Sequence, residues 1–355
     1  MKHNNSTERK LLTVVESKDA DSRFDKWLTE RFTYHSRNQW QEIIKKGLIT
    51  VNGKRCRASK LLRIGDVVEF NVDGYEEPEV NFEYNIVYED ETMFAVNKPS
   101  NLPCHPAGIY YKNTLFAKIS EERSSKNYFS SIRAKLKISD EVRNKRHSGP
   151  VSKETDSKIY LINRLDRETS GIVLFAKSSG TAAYLSNLFM IKQISKEYVV
   201  IVHGVFPEKL NAVGYLTCDD KSPVRKKRKF ITEKTHKENP GIYNIADLES
   251  AETIFELIKS NNTLSLVKVL PATGRLHQIR ATLCSLGYPV VGDKLYGLDD
   301  TLYLRFIDGK LSNNDKCKLI LDRQALHAKS LSFMHPDTEK QIAIETSIPD
   351  DFKIL

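Results

Sequence analysis

The stretch Asn163-Arg164-Leu165-Asp166-Arg167-Glu168-Thr169-Ser170-Gly171 runs directly into the apolar segment Ile172-Val173-Leu174-Phe175-Ala176. An unbroken apolar run after a glycine reads as a strand buried on both faces. The polar turn before it sets the carboxylate of Asp166 at the rim of a low-dielectric core. A carboxylate there is costly unless a cation or hydrogen-bond donors meet it. The chain must therefore bring a partner from elsewhere. A candidate lies far downstream in Thr273-Gly274-Arg275-Leu276-His277-Gln278-Ile279-Arg280.

Around this centre the periodicities divide the chain. Residues 1–21 are polar, lack a signal-peptide core, and are expected to form a flexible tail. Over residues 22–72, Phe24, Trp27, Leu28 and Phe32 recur at helical spacing, and Ser36 caps a second helix closed by Gly47. Leu48 to Val51, the turn Asn52-Gly53, and Val67 to Phe70 then read as strands. Residues 73–85 carry acids, Gly and Pro and read as a linker; residues 86–355 form a larger unit. Within it, residues 121–157 read as a lysine-rich insertion. The run Arg225-Lys226-Lys227-Arg228-Lys229 suits an RNA backbone, a targeting signal or a solvated loop. Ala251, Thr253, Phe255 and Leu257 alternate as in a half-buried strand. Ile279, Leu283 and Leu286 lie on one helical face that ends at Gly287.

Fifteen Tyr and fifteen Phe supply enough apolar bulk for a packed core, which excludes wholesale disorder. The net charge of +9 favours a polyanionic partner. No apolar run approaches a membrane span, so no membrane partner is expected. The five cysteines are widely spaced and form no Cys-x-x-Cys pair, which points to reduced thiols in a cytoplasmic setting. Neither a metal nor a cofactor is expected, because no metal-ligand spacing or phosphate-binding glycine loop occurs.

The two central segments, together with Asn97-Lys98-Pro99, Pro103-Cys104-His105-Pro106 and Ala325-Leu326-His327-Ala328, resemble the RluA-type pseudouridine synthase family. Arg23-Phe24-Asp25, Ser36-Arg37, Gly47 to Gly53 and Gly65-Asp66 resemble the small RNA-binding module named after ribosomal small-subunit protein four. Two positions depart from the family pattern: Asn163 stands where many members have His, and Thr282 where a second His often follows. The resemblance implies an α+β fold, with a mixed, largely antiparallel catalytic domain behind a small α+β RNA-binding domain.

It also implies chemistry. Pseudouridine formation breaks the bond between uracil nitrogen and the ribose anomeric carbon, then rejoins the ring through carbon. Uracil departs as a stabilised anion, so one carboxylate suffices where glycosidases use two. By resemblance Asp166 is that carboxylate, attacking the sugar or acting as a base on it. Arg280 pairs with it, and Tyr198 stacks on the flipped uracil. His105 is expected to be structural or RNA-facing. Substrate contacts are expected from Arg164, Arg275, His277 and Gln278, and in the N-terminal module from Arg37, Lys45, Lys46, Lys54 and Arg55. The expected function is isomerisation of specific uridines in structured RNA, either ribosomal RNA or tRNA, by a monomer. The alternative is a catalytically silent RNA-binding or ribosome-assembly protein on the same fold.

Overall fold

Register across the large sheet, more than any single loop, decides where the two central segments meet. The computed structural model describes residues 10–32, 35–71, 75–124, 158–224, 226–239, 241–299 and 301–355. Most of the insertion expected over 121–157 lies outside them; its first residues continue the helix Leu115–Ser124.

The N-terminal module packs helices Phe24–Arg31 and Arg37–Lys45 on a three-stranded antiparallel sheet of β1 (Lys10–Val14), β2 (Ile49–Val51) and β3 (Val67–Asn71), in the order β1-β3-β2. Its core holds Phe24, Trp27, Leu28, Trp40, Ile43 and Phe70. Ser36 and Gln39 form a reciprocal capping box at the second helix. Asn52 and Gly53 both take positive φ, as a tight hairpin turn requires. Residues 10–14 correct the flexible-tail expectation. The outer edge of β3 offers unpaired backbone groups, β1 satisfies them, and Val15 is buried beyond it.

Among the described residues the larger unit is built on one eleven-stranded sheet. Its strands are β4 (Asn85–Glu89), β5 (Met93–Lys98), β6 (Tyr160–Leu161), β7 (Ser170–Ala176), β8 (Ser195–His203), β9 (Lys209–Cys218), β10 (Arg228–Thr232), β11 (Glu249–Ser260), β12 (Leu264–Pro271), β13 (Leu326–Met334) and β14 (Gln341–Glu345). The path runs β10-β9-β11-β12-β8-β13-β7-β5-β4, with β14 on β13 and β6 on β7. The β7–β13 contact is parallel and the other strand pairs are antiparallel. This is the mixed, largely antiparallel α+β architecture expected. Among the described residues no helix is long and apolar enough to cross a membrane.

Every residue of β7 is buried, as its apolar run requires. Gly171 pairs with Ala328 on β13, and Ala328 pairs with Tyr198 on β8. Tyr198 pairs in turn with Val269 near the end of β12. One row across four strands thus joins the exit of the Asp166 turn, Tyr198, and the strand that leads to Arg280. Gly171 takes φ +115°, and a Cβ there would meet the Ala328 carbonyl oxygen at 2.2 Å. That backbone cannot move without breaking the parallel pairing. Gly171→Ala should therefore destabilise the protein by about 1–3 kcal/mol or more and displace the Asp166 turn. Thermal unfolding and an activity assay on the same preparation check both effects.

Candidate active site

Three local devices fix the Asp166 turn. Asn163 donates its side-chain amide to the Ile172 carbonyl at 3.2 Å and accepts from the Leu174 amide at 2.7 Å. It ties the turn to β7, so its departure from the family pattern is satisfied structurally. Buried Lys98 donates to the carbonyls of Pro99, Leu102 and Arg167, which uses its three protons. Cys104 accepts from the Leu165 amide at 3.2 Å. The second carboxylate of the turn, Glu168, is held by Lys294 at 2.9 Å and by Arg167 at 2.8 Å. Of the two, Asp166 alone lines the cavity that also holds Tyr198.

Arg280 reaches it from the helix Gln278–Ser285, donating from one terminal nitrogen to Asp166 at 2.7 Å. Its remaining edge is clamped by Asp293, with Nε at 2.6 Å and the other terminal nitrogen at 2.9 Å. Asp293 is itself fixed by the backbone amides of Leu295 and Tyr296. A two-pronged grip on one edge of the guanidinium leaves the other edge aimed at Asp166. Burial favours the protonated form of Asp166, but the charges of His277 and Arg280 and the Arg280 hydrogen bond outweigh it and hold the acid at about 2. Burial also pushes His277 down to about 4. At neutral pH His277 is thus uncharged, and Arg280 is the cation that keeps Asp166 ionised.

His277 adopts a left-handed backbone at φ 56°, at the N-cap of that helix. Its Nδ1 lies 3.0 Å from the Tyr296 hydroxyl, which accepts from the Arg228 amide at 2.9 Å. With Tyr296 donating to Nδ1, the ring proton sits on Nε2, 3.9 Å from Asp166. A non-glycine residue in this conformation stores strain of about 1–3 kcal/mol, as site residues often do.

Tyr198 lines the same cavity, half-buried. Burial and the Asp166 charge push its phenol up to about 12, so it keeps its proton at neutral pH. Arg164, Arg275 and His277 also line this cavity. Gln278 lines it too: its oxygen accepts from Thr273 and Arg275, and its nitrogen donates to Glu252 and Thr253. These four bonds join the turn before the helix to β11 and use all its polar capacity within the protein. Arg37 is tied back through one nitrogen, with about half of its side chain exposed. Its guanidinium bonds buried Asp25 at 3.0 Å, beside Arg23 and Gln41. Lys45, Lys46, Lys54 and Arg55 are exposed on the module. Within the basic run, Lys227 is buried and Arg228 opens β10, so a plain solvated loop does not describe it.

The family model described as RNA pseudouridylate synthase matches residues 92–285, and the S4 domain model matches residues 22–68. The chain belongs to the RNA pseudouridylate synthase family. An uncharacterized RNA pseudouridine synthase of Aquifex aeolicus is 30% identical over 97% of this chain and 96% of its own. The ribosomal large subunit pseudouridine synthase C of Buchnera aphidicola (strain APS) is 26% identical over 96% and 95%. The solved structure of human RNA pseudouridylate synthase domain containing 1 shares the fold. Its TM-score is 0.51 at 19% identity, covering 78% of this chain and 87% of that one. The protein is thus an RNA pseudouridine synthase, an isomerase, joined to an RNA-binding S4 domain.

The sequence reading missed Asp293, Tyr296 and Lys294. The signal available was Gly292-Asp293-Lys294-Leu295-Tyr296, polar residues set among apolar ones. Two variants separate the roles of Asp293 and Arg280. Arg280→Met leaves the burial of Asp166 unopposed by a fixed cation, so its acidity falls and its pKa rises from about 2. Asp166 is the depressed-acid case, with stability present above the unfolded value of about 3.9 and lost as pH falls toward the folded one. Arg280→Met should therefore move the acid limb of the pH–rate profile upward. Asp293→Ala keeps the cation, leaves that limb in place, and costs about 3–5 kcal/mol of stability as a broken buried pair. Rate profiles and denaturant titrations of both variants check this.

Proposed function

We propose that this enzyme isomerises a specific uridine in large-subunit ribosomal RNA, with Asp166 as the catalytic carboxylate. The observation that carries the reading is the carboxylate itself, held ionised at 2.7 Å by Arg280 and open to a cavity lined by Tyr198. The choice of RNA rests on near full-length relatives, among them three ribosomal large subunit pseudouridine synthases C from Buchnera aphidicola. Those bacterial relatives favour a cytoplasmic site of action.

In this reading the target uridine leaves its stack and enters the cavity, because its sugar cannot reach Asp166 within a helix. The ionised carboxylate meets the anomeric carbon region while the bond to uracil nitrogen breaks. The uracil anion stays against the Tyr198 ring, turns, and rejoins through ring carbon. The proton on that ring carbon is then lost to solvent while the freed ring nitrogen takes one up, so the product has the same atoms as the starting uridine. Tyr198, still protonated, presents a neutral phenol that does not repel the anion. Exposed Arg164 and Arg275 lie at the cavity, where backbone phosphates of the bound strand pass. Lys45, Lys46, Lys54 and Arg55 of the S4 domain add sequence-independent phosphate contacts.

Asp166→Asn preserves shape and removes charge. It should bind RNA with unchanged affinity and form no pseudouridine by carbodiimide-dependent reverse-transcription stops. Turnover within tenfold of the unaltered enzyme would refute the assignment. Replacing Lys45, Lys46, Lys54 and Arg55 with Gln should weaken RNA binding most at low salt. The slope of log affinity against log salt should shrink by roughly 0.7–0.9 per lost contact; an unchanged slope means these cations do not touch phosphate.

A further inference from the structure

Asp166 borders two cavities. The first, about 120 Å³, contains Tyr198. The second, about 280 Å³, shares Arg164, Asp166, His277 and Arg280 with it, but extends between the loop Pro103–Tyr110 and the helix Leu302–Ile307. Isomerising one base accounts for the first cavity only.

The second cavity has two chemical sides. One is aromatic, with Tyr303 and Phe306 from the helix and Tyr110 from the loop. Tyr110 and Phe306 flank the Arg167 guanidinium at 5.7 and 5.5 Å, and Phe306 also lies 5.0 Å from the Lys294 ammonium. Those two cations share the single carboxylate of Glu168. The other side carries two further cations. Arg164 and Lys226 both line it, and neither has a carboxylate partner among the described residues. Burial, and the charge of Arg164, push Lys226 toward losing its proton. Two cations with no salt-bridge partner of their own, in a cavity that also presents aromatic rings, match a ligand with a flat aromatic face and a phosphate.

We infer that the second cavity is a subsite for the nucleotide adjoining the target uridine, its base on Phe306 and Tyr303 and its phosphate between Arg164 and Lys226. This rests on the uridine-isomerising reading of the first cavity. The two cavities share a border at Asp166 and Arg280, so one backbone linkage connects their occupants. The subsite therefore takes a base from the same strand, and grips a neighbour as well as the uridine.

The S4 domain braces both walls. Gln39 of its capping box donates to the Ile307 carbonyl at 3.3 Å, at the end of the Phe306 helix. Tyr111, next to Tyr110, lies 5.5 Å from the Phe70 ring of the domain. From the linker that follows the domain, Glu77 accepts from the amides of Lys112 and Asn113 at 2.7 and 2.8 Å. RNA engagement by the S4 domain and the shape of the subsite are thus mechanically joined.

The test uses the full chain and a short stem-loop RNA carrying the uridine mapped by comparing pseudouridines with and without the gene. Abasic residues replace the nucleotide on its 5′ or its 3′ side. For the unaltered enzyme, one of these should raise KM by roughly tenfold, the loss of one stacked base, with a small change in kcat. Phe306→Ala should raise KM similarly on intact RNA and show no further loss with the abasic RNA, because both changes delete one contact. Phe306→Trp should keep the abasic penalty. If Phe306→Ala unfolds, Tyr303→Ala supplies the same cycle. Equal abasic penalties in enzyme and variants, or none at either flank while pseudouridine still forms, overturn the subsite. Failure of the unaltered enzyme to form pseudouridine in any RNA overturns the isomerase reading instead, and the subsite with it.

Discussion

The guanidinium of Arg280 is shared between two carboxylates of unlike standing. Asp293 is fully buried and takes two of its donors; Asp166 is about a quarter exposed and takes one. The first grip spends the charge of Asp293 on orientation. The second leaves Asp166 partly exposed at the cavity. A buried triad of this kind is poor evidence for stability, because desolvation offsets most of the attraction. Its physical sense lies in direction: a cation held from behind keeps an acid ionised at the edge of a dry site.

The sheet makes that pairing possible. Asp166 and Arg280 come from segments far apart in sequence, and neither strand that delivers them is adjacent to the other. β7 and β12 are separated by β13 and β8, and the row Gly171, Ala328, Tyr198, Val269 sets their relative height. Gly171 is the position where this row has no room for a side chain. The parallel β7–β13 contact requires the approach, and the bend out of the Asp166 turn requires the positive φ.

Much of this was legible beforehand because the relevant signals are local. The apolar run of β7, the alternation in β11 and the capping residues of the S4 helices each follow from short-range spacing. The pairing of Asp166 with Arg280 was legible only through resemblance, since nothing in either segment names the other. What escaped had its cause in tertiary contact. Asp293 and Tyr296 look like turn residues until Arg280 and His277 are placed beside them. The four hydrogen bonds of Gln278 and the tie of Arg37 to buried Asp25 likewise leave no trace in the sequence. Lys10 to Val14 read as a tail because edge pairing with β3 leaves little trace in a sequence whose exposed residues include Leu12 and Val14.

The account stands on Asp166 being ionised in the folded enzyme by the neighbouring guanidinium. The most direct measurement is the pH titration of the Asp166 side-chain carbon by NMR, in protein labelled at aspartate and assigned through Asp166→Asn. The resonance should stay that of a carboxylate through the ordinary aspartate range near 3.9, and begin to move only toward about 2. A midpoint at or above the ordinary value would contradict the account, because the cations beside Asp166 would then not be holding it ionised.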